Sequence, residues 1–182
     1  MSLDPPGHAS PALGFEAPLE MLAACHVRIE QQYATLQRLV PHVAVHGADA
    51  LAREAAAGVM RYFDTAAALH HADEESDLFP ALIESMAGSD AVCLRELTAG
   101  LGAEHRELES RWQAVRDALA QVTAGAAATP DADAVAAFVG LCQRHIAREE
   151  RELLPMAARL LGDDALERVG RAMRERRGIA AA

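Results

Sequence analysis

Four histidines in the 182-residue chain each stand four residues ahead of a glutamate: His26/Glu30, His70/Glu74, His105/Glu109 and His145/Glu149. A helix places residues i and i+4 on one face about a turn apart, so each pair offers an imidazole nitrogen and a carboxylate in a common direction. Two pairs open a longer shared pattern. His70-His-Ala-Asp-Glu74-Glu-Ser-Asp-Leu-Phe-Pro80 matches His145-Ile-Ala-Arg-Glu149-Glu-Arg-Glu-Leu-Leu-Pro155, with Glu at +4 and +5, Leu at +8 and Pro at +10. Mixed imidazole and carboxylate donors suit first-row transition ions, whereas calcium and magnesium prefer oxygen. Four imidazoles and two carboxylates describe a dinuclear site in which Glu74 and Glu149 bridge two ions and each ion keeps two imidazoles. Such a site stays cationic and leaves positions open, which favours a hydroxide, oxide or small exogenous ligand.

The elements that must carry these residues are helices. Helix 1 is expected from about Pro18, a good first-turn residue, to Val40, just before Pro41, with Leu22, Ile29, Tyr33, Leu36 and Val40 at helical spacing. Residues 42–48 read as a connection. A second helix is expected from an Asp49 cap to about Met86, perturbed near Pro80. Gly88-Ser89-Asp90 reads as a turn with a built-in cap, before a third helix to about Ala124 whose stripe includes Leu101, His105, Leu108 and Trp112. Thr129-Pro130 reads as cap and first position of a fourth helix ending at Leu161–Gly162, and a short fifth spans about 163–177. Helices 1 and 3 align on His26 and His105, with Leu22/Leu101, Ile29/Leu108, Glu30/Glu109 and Tyr33/Trp112 in register. Two helix-hairpin copies therefore close into an all-α, up-down four-helix bundle with a short extra C-terminal helix. The expected division is a flexible arm over 1–17, the bundle over 18–161 and the short helix and tail over 162–182.

Burying imidazoles and carboxylates is costly unless hydrogen bonds or a cation compensate. Four such histidines on apolar stripes at duplicated spacing select metal binding. The alternative pair His71/Glu75 also has i, i+4 spacing, but the copy match sets His71 against Ile146 and His70 against His145. His70 is therefore taken as the ligand and His71 as a flank residue. Glu30 and Glu109 fall beside their stripes, where a rim salt bridge or a supporting contact to a ligand is expected. His42, His46 and His8 have no counterpart in the other copy and read as surface residues.

The net charge of −10 disfavours nucleic acid and anionic membranes as partners. Arg171, Arg174, Arg176 and Arg177 form a basic run that reads as a solvated helix end. No apolar run approaches the roughly 20 residues of a membrane span, and the N-terminus lacks a basic and then an apolar signal region. Three cysteines without a CxxC pair suggest reduced thiols and a cytoplasmic protein. Cys25 and Cys142 read as small apolar helix residues.

The HxxxEExxLFP motif at 70–80, its echo at 145–155 and the single histidines 26 and 105 resemble the hemerythrin-like (HHE cation-binding) family over about 18–161. The resemblance implies a non-haem di-iron centre that reversibly binds O2 or senses oxygen, NO or redox state. It also implies His26, His70, His105 and His145 as imidazole ligands and Glu74 and Glu149 as bridges. The family's oxygen carriers have a further histidine one turn before the His105 position, where this chain has Leu101, and an aspartate where it has Glu149. The four-His, two-Glu set is closer to relatives linked to iron–sulfur cluster repair, whose N-terminal Cys-bearing segment this chain lacks. The leading expectation is an O2- or NO-binding protein for sensing, storage or stress response. A di-iron oxidase or peroxidase acting on iron, peroxide or NO, a cluster-repair enzyme, and a metal-stabilised interaction module are the alternatives.

Overall fold

A computed structural model describes residues 14–86, 90–126 and 129–179. It holds five helices in sequence and, among the described residues, no strand. We label them α1 (Pro18–His46), α2 (residues 50–85), α3 (Asp90–Thr123), α4 (residues 132–160) and α5 (Asp163–Arg176). The first four form the up-down bundle, and α5 folds back over one end of it.

Helix α1 does not stop before Pro41; it runs through it to His46 and ends at Gly47, whose φ of +69° suits a residue without a side chain. Proline removes one backbone donor, but Leu39 and Val43 on either side are buried and keep the helix against the core. Asp49 caps α2 as expected, its carboxylate accepting from the Ala52 N–H at 2.8 Å. His42, next to this turn, lies 3.1 Å from the same carboxylate. At α4 the cap is Asp131, which accepts from the Asp133 N–H, rather than Thr129. The expected cap at Gly88–Asp90 and the residue His8 lie outside the residues described in side-chain detail.

Helices α2 and α4 are not uniform. Helix α2 contains two π-helical turns, Phe63–Ala67 and Glu74–Leu78, and α4 contains one, Glu149–Leu153. The turns at Glu74 and Glu149 end alike: the Phe79 N–H donates to the Glu74 carbonyl and the Leu154 N–H to the Glu149 carbonyl. Each is followed by the motif proline, Pro80 or Pro155, which has no N–H to continue the ordinary ladder. A π-turn admits one extra residue into the helix and re-aims the side chains around it. The perturbation expected near Pro80 is therefore a widened turn that begins at the glutamate itself.

The core divides into two apolar clusters. One gathers Ile29, Tyr33, Leu36, Phe63, Leu108, Trp112 and Phe138 toward one end of the bundle. The other gathers Leu22, Leu78, Phe79, Leu94, Leu101 and Leu153 and is closed by Val169 and Met173 of α5. His26, His70, Glu74, His105, His145 and Glu149 are buried as well, and in sequence they stand between the residues of these two clusters, save that Ile146 of the first cluster follows His145 on α4.

The chain before α1 is not loose throughout. Residues 14–17 lead into α1 beside α5, where Glu16 pairs with Arg174 at 3.0 Å and the Phe15 ring lies 5.5 Å from the Arg174 guanidinium carbon. A Cβ on Gly170 would sit 1.9 Å from the Phe15 carbonyl oxygen, so this close approach requires glycine. Nor does the basic run simply solvate a helix end. Arg176 and Arg177 both bond the fully buried carboxylate of Asp73, Arg177 at 2.6 Å, and Arg176 also reaches Asp77 at 2.5 Å.

Candidate metal centre

Each copy brings two histidines and one glutamate to the middle of the bundle. His26 comes from α1, His70 and Glu74 from α2, His105 from α3, His145 and Glu149 from α4, and all six are buried. The ligand atoms of His26, His70, Glu74 and Glu149 lie within 4.8 Å of one another, and so do those of Glu74, His105, His145 and Glu149. The two groups share both glutamates. Among the individual approaches, His145 Nε2 is 2.8 Å from Glu149 Oε1 and His26 Nε2 is 3.1 Å from Glu149 Oε2. On the other carboxylate, His105 Nε2 is 3.3 Å from Glu74 Oε2 and His70 Nε2 is 3.7 Å from Oε1.

These approaches are short, yet they are not hydrogen bonds in direction. Nine buried side-chain polar atoms lack a hydrogen-bond partner among the described residues, and all nine belong to these six residues. Buried polar groups almost always find partners, and an orphan costs about 1–3 kcal/mol. Lone pairs converging on a common space instead of on protons are the arrangement a cation requires. Nitrogen and oxygen donors bind such ions at about 2.0–2.2 Å, so donors a few ångströms apart fit around one ion with little movement.

Without an ion, the same buried groups balance their charges by sharing protons. Burial pushes the His70 imidazole down to about 3, which keeps it neutral and able to ligate. Burial, reinforced by the nearby Glu149, pushes the Glu74 carboxyl up. Burial also acts to raise Glu149, but pairing with His105, His145 and His26 outweighs it and holds that carboxyl well below the usual range. Burial acts to lower His105, while Glu149, Glu74 and Glu75 together carry it up to about 10. Two carboxylates this close repel unless positive charge lies between them.

A ring of outer carboxylates orients three of the four imidazoles. Glu75 Oε1 lies 2.6 Å from His105 Nδ1, and Glu150 Oε1 lies 3.3 Å from His26 Nδ1. Glu104 accepts from His145 Nδ1 at 2.8 Å and is itself held by Arg148 at 2.6 Å. With Nδ1–H so engaged, Nε2 is the nitrogen left to face the site, where a cation would take the place of its proton. Glu75 and Glu150 are the +5 residues of the repeated motif; the repetition was visible, but nothing in the sequence said that they reach across to the other helix pair. Glu104 precedes His105, whereas the residue before His26 is Cys25, and His70 Nδ1 has no partner. Among the described residues, Glu30 and Glu109 make neither the rim salt bridge nor the supporting contact to a ligand expected of them. Glu30 accepts from the Tyr33 hydroxyl at 3.2 Å, and Glu109 is an exposed residue of a cavity wall.

His71 is not on the flank. Its ring stacks on His105 with centroids 4.0 Å apart and planes 13° from parallel, and a nitrogen of His71 lies within 4.8 Å of those of His105 and His145. The π-turns that bracket residues 68–73 set the rotation of this short segment apart from the helix on either side, and from it His70 and His71 reach the two donor groups of the site. Burial, with the nearby His105 and His70, pushes the His71 imidazole well below its ordinary value. A cavity of about 530 Å³ opens beside this ring, reaching His70, His105 and His145 and walled by Phe63, Trp112, Phe138 and Ile146.

The sequence profile of the hemerythrin HHE cation binding domain matches residues 17–157. The chain belongs to the hemerythrin HHE family. The match spans the bundle and contains all six converging donors, so the cation-binding description of the family and the His/Glu clusters of this hemerythrin-like bundle coincide. The chain is also similar to a protein of Haemophilus influenzae strain Rd described as an uncharacterized protein, 31% identical over 162 residues, which covers 89% of this chain and 91% of the relative. Among the described residues, no helix of this hemerythrin-like chain is long and apolar enough to cross a membrane.

Proposed function

We propose that the protein is a non-haem di-iron protein in which His26, His70, Glu74, His105, His145 and Glu149 hold two ions and O2 or NO is bound for sensing, storage or stress response. One observation carries the reading: the orphaned buried atoms of the described chain are confined to six residues that form two adjoining donor groups sharing two carboxylates. Iron held there supplies reversible electron exchange with a small diatomic ligand. The protein's own groups do the rest. Glu74 and Glu149 serve both positions, Glu75, Glu150 and Glu104 fix imidazole orientation, and apolar clusters on both sides exclude bulk water. The cavity against His70, His105 and His145 gives a small ligand a route inward. Because Glu30 and Glu109 stay outside, the site is rich in imidazole, which supports binding over oxidative chemistry. The free thiols Cys25, Cys93 and Cys142 support a cytoplasmic setting.

Anaerobic loading with Fe(II), followed by air or NO, tests this. The expected result is two iron equivalents per chain and visible absorption bands that develop on exposure and reverse on removal of the gas or on reduction. Fewer than two equivalents, or no visible bands, would count against the reading. The size of the cavity, far beyond a diatomic molecule, favours as second reading a di-iron oxidase or peroxidase. Steady O2 or peroxide consumption by the loaded protein, instead of stoichiometric binding, would select it.

A further inference from the structure

The two halves of the site differ at one place. After His70 comes His71, and after the matching His145 comes Ile146. Both side chains border the cavity, and only one of them carries a donor. We propose that His71 supplies a third imidazole to the position held by His105 and His145, so that the two metal positions are unequal; this rests on the dinuclear reading above.

Three features support it. A ligand nitrogen of His71 forms a three-histidine group with those of His105 and His145, all within 4.8 Å of one another. The His71 ring lies flat against His105 at 4.0 Å and edge-on to His145 at 5.8 Å, so the three rings pack against one another on one side of the site. The π-turns on either side of residues 68–73 hold His70 and His71 inward together, His70 toward His26 at 5.0 Å and His71 toward His105. With the shared glutamates, one position then has five protein donors and the other four. The position with four, served by His26 and His70, is left with more room for exogenous ligands.

The test is an anaerobic titration of the metal-stripped full chain with Co(II) alone, followed by visible absorption and metal analysis. The wild type is expected to bind two equivalents. His71→Ile, which copies Ile146 and keeps the volume filled, is expected to retain one equivalent unchanged. The other should weaken at least about tenfold, the lower bound for losing even an outer partner of a ligand, with a changed d–d spectrum. His71→Ala should show the same loss and recover on addition of free imidazole, for which the cavity has room; recovery separates a missing ligand from a damaged fold. Two equivalents with wild-type affinity and spectrum in both variants would overturn the proposal and leave the dinuclear reading standing, even if azide or NO binding changed. A wild type that binds fewer than two equivalents would overturn both.

Discussion

Glu75 Oε1 sits 2.6 Å from His105 Nδ1, joining the motif of one helix pair to the single histidine of the other. Glu150 and His26 repeat the relationship at 3.3 Å. The carboxylate fixes the tautomer of the imidazole and raises its basicity as a donor. Glu75→Gln is expected to lower metal affinity about 10- to 100-fold with an unchanged far-UV spectrum. Affinity within twofold of wild type, by competition with a chromogenic chelator, would remove Glu75 from this role.

The shared carboxylates make a second, sharper expectation. His70→Ala and His145→Ala should each lose at least one metal equivalent, whereas Glu149→Ala should lose both, because Glu149 approaches His26 and His145 at once. Elemental analysis after gel filtration reads this directly. Retention of two equivalents by His70→Ala would contradict the assignment of that residue.

Without metal the protein should be less stable in alkali. Folding raises His105 from 6.5 to about 10, so the folded state holds that proton more tightly than the unfolded chain. Its stabilisation is complete below pH 6.5 and is lost as the pH climbs through 10. Glu74, also raised by folding, works in the same direction once the pH passes the ordinary carboxylate range. The melting temperature of stripped protein should therefore fall steadily from pH 6.5 to 10, and that of loaded protein should fall less. A flat or rising profile for the stripped protein would show that these groups do not carry the linkage.

The carboxylate of Asp73 is fully buried one residue before Glu74, and its two cationic partners are the last residue of α5 and the residue that caps it. Removing the partners of a buried charge costs about 3–5 kcal/mol. Arg176→Gln/Arg177→Gln is expected near the lower end, because both guanidiniums keep an edge in water. Adding Asp73→Asn to that variant should recover part of the loss. Urea denaturation measures both steps; a loss under about 1 kcal/mol for the double variant would mean that Asp73 finds other partners.

The bundle and the six converging donors were legible because both depend on spacing, which a chain displays openly. His26 and His105 stood on apolar stripes, and the His-to-Pro motif occurred twice. What stayed hidden depends on departures from ideal geometry or on long-range reach. Uniform helical pitch sends His71 to the flank, and only the π-turns bring it inward. Pro41 is a stop signal by local rules, yet the burial of Val43 carries the helix past it. Arg176 and Arg177 looked like a solvated tail because their partner, Asp73, lies about a hundred residues earlier. Glu75 and Glu150 were visible as a repeat, but which histidine each one meets is a property of the assembled bundle.

The π-turn at Phe63–Ala67 also makes α2 tolerant of a frameshift within the fold. Deleting one residue there would close the widened turn into ordinary helix and leave everything after it in place. A deletion that the turn did not absorb would rotate the rest of the helix by about 100°, His71 swinging toward the place of His70 and Glu75 toward that of Glu74. The doublets His70-His71 and Glu74-Glu75 would still present an imidazole and a carboxylate at i, i+4 spacing. In α4 the same slip would offer Ile146 in place of His145. One half of the centre thus carries a spare register, and the other has none.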